Sequence, residues 1–229
     1  MDHQNLERMI EFDSKAALEQ ALAVAISQAL QQAIEQKGTA TLLLSGGTTP
    51  SGVYRLLSQE NLNWTKIHVG LVDERFVPAH STFSNFKLLQ ETLGQNLAKN
   101  VVIYPMVLNA HDYDQNLKEI QETYRVFTDP DVCLLGMGAD GHTASIFPND
   151  EASQNANSNE SDLLSNTNAP SEPNLRITLN GPVLRRATHL YLMFTGEQKK
   201  AIFEDSQKQQ LPIAAFQAAI TQTFYTSAI

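Results

Sequence analysis

Apolar positions along this 229-residue chain follow two rhythms. Between Leu18 and Ile34 they recur at helical spacing (Leu18, Leu22, Ile26, Leu30, Ile34), with alanines between, and predict a long helix presenting one stripe to a core. Asp13 or Ser14 supplies an N-cap, and Gly38 a stop after about Gln36. Elsewhere the apolar residues gather into short runs at 9–12, 39–44, 66–72, 101–104, 132–135, 175–179, 188–194 and 221–225. Runs of that length between turn signals suit strands buried on both faces. Helical segments are expected at 51–57, from Ser84 or Asn85 to 93, at 112–127, from Gly181-Pro182 onward, and at 195–206. Strands alternating with helices predict an α/β fold with a mostly parallel sheet flanked by helices on both faces.

One stretch breaks both rhythms. Residues 149–174 hold seven Asn and five Ser with few large apolar side chains. They are expected to form a polar loop with no fold of its own, set within a single domain covering 1–229.

Composition narrows the class. No apolar run approaches the roughly 20 residues of a membrane span, and the N-terminus lacks the basic start and apolar core of a signal peptide. The single cysteine, Cys133, lies in an apolar run and reads as inert core. These features point to a soluble cytoplasmic protein with no membrane association; a monomer is expected, although nothing in the sequence reveals the oligomeric state. The net charge of −9 argues against nucleic acid as a partner. The charge is uneven: between Val126 and Leu175 there are eight acids and no Lys or Arg, while the rest of the chain is nearly neutral. An anionic ligand therefore needs a few basic residues placed locally.

Candidate chemistry sits where strands end, because open α/β sheets bind ligands outside the carboxyl ends of their strands. Ser45-Gly-Gly-Thr-Thr-Pro50 follows one strand and opens a helix, so free backbone N–H groups and the helix dipole favour an anion such as phosphate. It lacks the Gly-Lys-Ser/Thr ending of a Walker A loop; a tight structural turn is the plainer alternative. Asp73-Glu-Arg75 follows the next strand, as a charged cluster or a surface salt bridge. Gly136-Met-Gly-Ala-Asp-Gly-His142 follows a third. Its glycines match G-x-G-x-x-G, but the helix start and acidic residue that a dinucleotide site needs are missing. His142 is the residue there whose charge changes near neutral pH, with Asp140 beside it; a hydrogen-bonded loop histidine is the alternative. Arg176 on a strand and Lys199 one turn into a helix could reach a phosphate, although lysines at such positions are more often simply solvated.

Taken in order, Ser45-Gly-Gly-Thr-Thr-Pro50, Asp73-Glu-Arg75, Ser84-Asn85, Gly136-Met-Gly-Ala-Asp-Gly-His-Thr-Ala-Ser145, Phe147-Pro148, Arg176-Ile-Thr178 and Gly196-Glu-Gln-Lys199 resemble the 6-phosphogluconolactonases, from about residue 9 to the end. The resemblance implies a Rossmann-like sheet shared with glucosamine-6-phosphate deaminase, no metal and no organic cofactor. It implies hydrolysis of 6-phospho-D-glucono-1,5-lactone to 6-phospho-D-gluconate in the oxidative pentose phosphate pathway. His142 would be the base, with Asp140 and Arg75 as its catalytic neighbours. Ser45, Gly46, Gly47 and Thr48 would line the phosphate end with Arg176 and Lys199, and Asp73 and Asn85 are further substrate-contacting candidates. The nearest alternative is a glucosamine-6-phosphate deaminase or isomerase. That family has Tyr where this chain has Arg75, and an Ala-Phe-Asn-Glu-Pro pattern where this chain has Thr143-Ala-Ser-Ile-Phe-Pro148. A non-catalytic sugar-phosphate-binding protein is the other.

Overall fold

A computed structural model describes residues 8–228. In chain order the elements are β1 (Met9–Glu11), α1 (Lys15–Lys37), β2 (Ala40–Leu44), α2 (Ser51–Leu57), β3 (Ile67–Leu71), β4 (Asp73–Arg75), α3 (Asn85–Thr92), β5 (Val102–Ile103), α4 (Tyr113–Thr123), β6 (Val132–Gly136), α5 (Glu151–Ser158), β7 (Leu164–Asn168), β8 (Leu175–Leu179), α6 (Gly181–Arg185), β9 (His189–Thr195), α7 (Glu197–Asp205) and β10 (Gln222–Thr226). The long amphipathic stripe becomes α1, capped by Ser14, whose side chain accepts from Ala17 N–H, and stopped by Gly38 at φ 86°. Leu18, Leu22, Ile26 and Leu30 are buried along it.

Seven strands form one parallel sheet in the order β1-β10-β9-β6-β2-β3-β5. The α/β fold with a mostly parallel sheet is the one the apolar pattern predicts, since β2 and most of β6 are buried on both faces. From β2 the chain moves to β3 and β5; from β6 it moves the opposite way, to β9 and β10. Right-handed crossovers therefore put α1 and α2 on one face and the helices after β6 on the other. The reversal falls between the adjacent strands β2 and β6, which makes their carboxyl ends the switch point where a crevice opens. At the opposite end the two strands are clamped. Asp131 Oδ2 accepts from Thr41 N–H (2.8 Å) and Thr41 Oγ1 (3.0 Å), and Asp131 Oδ1 pairs with Lys37 Nζ (2.6 Å).

Asp73-Glu-Arg75, expected as a charged cluster after a strand, forms β4, paired antiparallel with β8 in a second, three-stranded sheet of order β4-β8-β7. One expectation is corrected: residues 149–174 are not a structureless loop, for they contain α5 and β7. Asp150 caps α5, its Oδ2 accepting from Ser153 N–H (2.9 Å) and Ser153 Oγ (2.6 Å). Asn157 then ties the helix to Arg185, whose guanidinium donates to the Asn157 side-chain and backbone oxygens at 3.0 Å each. β7 forms because ladder hydrogen bonds belong to the backbone and do not depend on apolar side chains. At its outer edge Gln121 Nε2 donates to Leu164 O (3.1 Å) and Asn168 N–H to Asp150 Oδ2 (3.2 Å), while on its β8 side Tyr113 OH donates to Thr167 O (3.1 Å). Among the described residues no helix is long and apolar enough to cross a membrane.

Candidate active site

The loops leaving β2 and β6 meet at the switch point. Ser45 Oγ donates to Leu134 O (2.7 Å) and accepts from Gly136 N–H (3.1 Å), so one hydroxyl joins the two strand ends. Tyr54 OH donates to Ser45 O (2.5 Å) from beneath. Gly47 has φ +89°, a left-handed conformation that glycine adopts without strain. Gly46 packs so closely on Asn85 that a Cβ there would lie 1.9 Å from Oδ1. The loop thus exposes backbone where a side chain has no room. α2 follows directly, with Pro50 at its N-cap rather than at the first helical position.

Beside this loop lies a cavity of about 280 Å³. Ser45, Gly46, Gly47, Asp73, Arg75, Asn85, His142, Arg176 and Lys199 all line it, so nine of the residues singled out in the sequence converge on one space. Thr48 does not line it and is exposed, Thr49 taking its place. Asp140 does not line it either, but touches His142. Ala144, from the Gly136–Ser145 block, also lines the cavity, as does Met193, which carried no signal in the sequence.

The turn after β6 is built around the imidazole. Asp140 Oδ1 bonds His142 Nδ1 at 2.5 Å and accepts from His142 N–H at 3.1 Å. Burial works to raise the Asp140 pKa, but the hydrogen bonds and charge of His142 outweigh it and hold the carboxyl below its usual range. An ionised Asp140 accepts at Nδ1 and leaves Nε2 as the nitrogen available to a ligand. Gly138 makes room: a Cβ there would lie 2.2 Å from the imidazole. The ring packs on Phe147 at 4.7 Å between centroids. Ser145 anchors the far end of the turn, donating through Oγ to Asp73 Oδ2 (2.5 Å) and accepting from Thr167 Oγ1 at its carbonyl (2.7 Å).

Three cations face the same space. Arg75 and Arg176 are directly opposite each other in the β4–β8 ladder. Arg75 Nη1 donates to Phe83 O (2.7 Å) and Asn85 Oδ1 (3.0 Å). Arg176 Nε donates to Pro173 O (2.8 Å), and its guanidinium lies 5.7 Å from the Phe147 ring centroid. Burial lowers the Arg176 pKa; Asp73 opposes this and the charge of Arg75 adds to it. Lys199 Nζ donates to Met137 O (2.6 Å) in the glycine turn. Burial lowers its pKa, and Asp140 works against that. Two neighbouring guanidiniums and a half-buried ammonium leave positive charge that an anionic ligand would offset. Glu74, the middle residue of the Asp73-Glu-Arg75 cluster, does not line the cavity but is buried against the start of α3. Among the described residues no group of three or more His, Cys, Asp or Glu side chains is placed to hold a metal ion.

Parallel sheet, switch-point cavity and imidazole–carboxylate pair define an α/β enzyme with its pocket at the carboxyl edge. A family profile described as glucosamine-6-phosphate isomerases/6-phosphogluconolactonase matches residues 13–225. The chain belongs to that family. It is 34% identical to the 6-phosphogluconolactonase of Neisseria meningitidis serogroup A (strain Z2491) over 209 residues, covering 89% of this chain and 90% of the relative. It is 36% identical to the 6-phosphogluconolactonase of Mesorhizobium japonicum over 195 residues, covering 84% and 82%. The crystal structure of a 6-phosphogluconolactonase from Shewanella baltica OS155 superposes with a TM-score of 0.89 at 32% identity, covering 96% of this chain and 97% of that one.

Proposed function

We propose that this protein hydrolyses 6-phospho-D-glucono-1,5-lactone to 6-phospho-D-gluconate, the lactone-opening step of the oxidative pentose phosphate pathway. The observation that carries this reading is that His142, held by Asp140 at 2.5 Å, lines a cavity with Arg75, Arg176 and Lys199. The named activity of the relatives supports it.

A lactone is a cyclic ester, opened by water at its carbonyl carbon. With Nδ1–H held by Asp140, neutral His142 takes a proton from that water through Nε2, and the water oxygen bonds to C1. The tetrahedral intermediate collapses with cleavage of the bond from C1 to the ring oxygen. The imidazolium returns its proton to that oxygen, so the base ends as it began. General acid–base catalysis of this kind contributes about 10²–10⁴-fold. Arg75, oriented through Nη1, faces the carbonyl end and stabilises the developing oxyanion. The phosphate is taken by the 45–50 loop with Arg176 and Lys199. Arg176 suits that task because its Nη1 and Nη2 atoms have no hydrogen-bond partner among the described residues. Phosphate binding remote from C1 supplies the energy that orients the carbonyl. Asp73 and Asn85 face the sugar between the two ends. The scheme needs no metal or organic cofactor.

The test is turnover of lactone generated in situ from glucose 6-phosphate by its dehydrogenase. Wild-type protein should exceed the spontaneous rate, and His142→Ala should lower kcat by about 10²–10⁴-fold. Wild-type turnover no faster than background would remove the reading, and an unimpaired His142→Ala variant would remove the role given to the imidazole.

A further inference from the structure

Side chains alternate along a strand, so Asp73 and Arg75 of β4 face the cavity while Glu74 points the other way, beneath the start of α3. Its carboxylate accepts four hydrogen bonds there. Oε1 takes the backbone N–H groups of Arg75 and Asn85, both at 2.8 Å. Oε2 takes Phe86 N–H (2.8 Å) and Ser84 Oγ (3.0 Å). The residue is 1% exposed. Burial pushes its pKa up despite the four donors.

Capping α3 does not require such a group. Ser84 already caps the helix, its Oγ accepting from Lys87 N–H at 3.2 Å. A hydroxyl does this with far less desolvation than a buried carboxylate. What Glu74 adds is a common anchor, because its Oε1 is shared by the N–H groups of Arg75 and Asn85. Those residues meet again through their side chains, Arg75 Nη1 on Asn85 Oδ1 at 3.0 Å. Asn85 Nδ2 also donates to Asp73 O (2.9 Å), and its carboxamide lies against Gly46. Arg75 Nε is buried without a partner among the described residues, so the guanidinium depends on its Nη1 contacts for orientation.

We propose that Glu74 is a positioning residue that holds the strand bearing Arg75 and the helix bearing Asn85 in one register. It thereby sets the direction in which the Arg75 guanidinium enters the cavity. Glu74 touches no substrate and acts through Arg75. The proposal rests on the lactonase reading for its kinetic consequence, though not for its geometry.

A double-mutant cycle tests it. Glu74→Gln keeps the side-chain shape but turns one accepting oxygen into a donor, so an N–H at the anchor loses its partner. In the otherwise wild-type chain, kcat/KM should fall by about 10–10²-fold, the scale of a misplaced catalytic group. In an Arg75→Ala background the same change should cost no more than about threefold, because its effect runs through Arg75. Equal losses in the two backgrounds, or none in either, would overturn the proposal. Glu74→Asp, which keeps the charge but shortens the reach, serves the same cycle should the amide variant fail to fold. Wild-type inactivity would count against the lactonase reading alone. A crystal structure of Glu74→Gln then decides the geometry: loss of the Arg75–Asn85 contact supports the anchor, and an unmoved Arg75 refutes it.

Discussion

The two sheets of this molecule are held together by different means. Strands β2 and β6 of the large parallel sheet are largely apolar and fully inaccessible along most of their length. The small antiparallel sheet is polar: β4 is Asp-Glu-Arg, β7 is Leu-Ser-Asn-Thr-Asn, and β8 carries Arg176 and Thr178. The first buries area and is stabilised in proportion to it. The second is fixed by directed contacts from side chains elsewhere, such as Tyr113 on Thr167 O, Ser145 on Asp73 and Thr167 on Ser145 O. Each contributes only about 1 kcal/mol net, but each works only in one geometry. The parallel sheet therefore sets where the pocket opens, and the antiparallel sheet sets which charges enter it. Both guanidiniums come from the small one.

That division can be broken by experiment. Leu42→Ala, in the middle of β2, should lower the unfolding free energy by about 2–5 kcal/mol while leaving KM of the folded fraction unchanged. Denaturant titration together with initial rates reads both, and a large KM change without lost stability would contradict the separation. Arg176→Ala should do the reverse. KM should rise by about 10–10²-fold, the loss of a hydrogen bond to a charged group, with a smaller change in unfolding midpoint than Leu42→Ala. A variant that mainly unfolds would make Arg176 part of the scaffold.

The smallest effect concerns Asp140, whose folded pKa lies below the unfolded value of about 3.9. A depressed carboxylate contributes stability that is present above the unfolded pKa and lost as pH falls through the folded one. The Tm gap between wild type and Asp140→Asn should therefore hold steady at neutral pH and close below about pH 4. A gap that widens in acid would mean that the carboxyl is not held by His142.

The same contrast explains what could be read from the sequence. Leu42-Leu-Leu44 and Val132 to Leu135 were visible because burial on both faces leaves an unbroken apolar run. The 45–50 loop and the turn to His142 were visible because tight backbone approaches at Gly46 and Gly138 demand glycine. Ser45, Arg75 and His142 were legible as site candidates from their places after strands, and Arg176 and Lys199 from their positive charge; the structure brings all five to one cavity. The pairing of Arg75 with Arg176 was not legible, because register between distant strands is settled by tertiary contacts rather than by local pattern. β7 and α5 were missed for a related reason. Asn and Ser suggest loops because they bond nearby backbone, yet here Asp150, Ser153 and Asn157 spend those bonds on a cap and an Arg185 tether. Glu74 was visible only as part of the Asp73-Glu-Arg75 cluster; its separate role was not legible, since it depends on where α3 begins.

The edge of β7 has a consequence for life at high concentration. An outermost strand with open carbonyls and amides is a template on which another chain can extend the sheet. Here Gln121 occupies the carbonyl of Leu164 and Asp150 the amide of Asn168. An incoming strand would have to displace both side chains before pairing along the full edge. The open edge of this Asn- and Ser-rich strand is thus guarded against self-association by a glutamine from α4 and by the aspartate that caps α5.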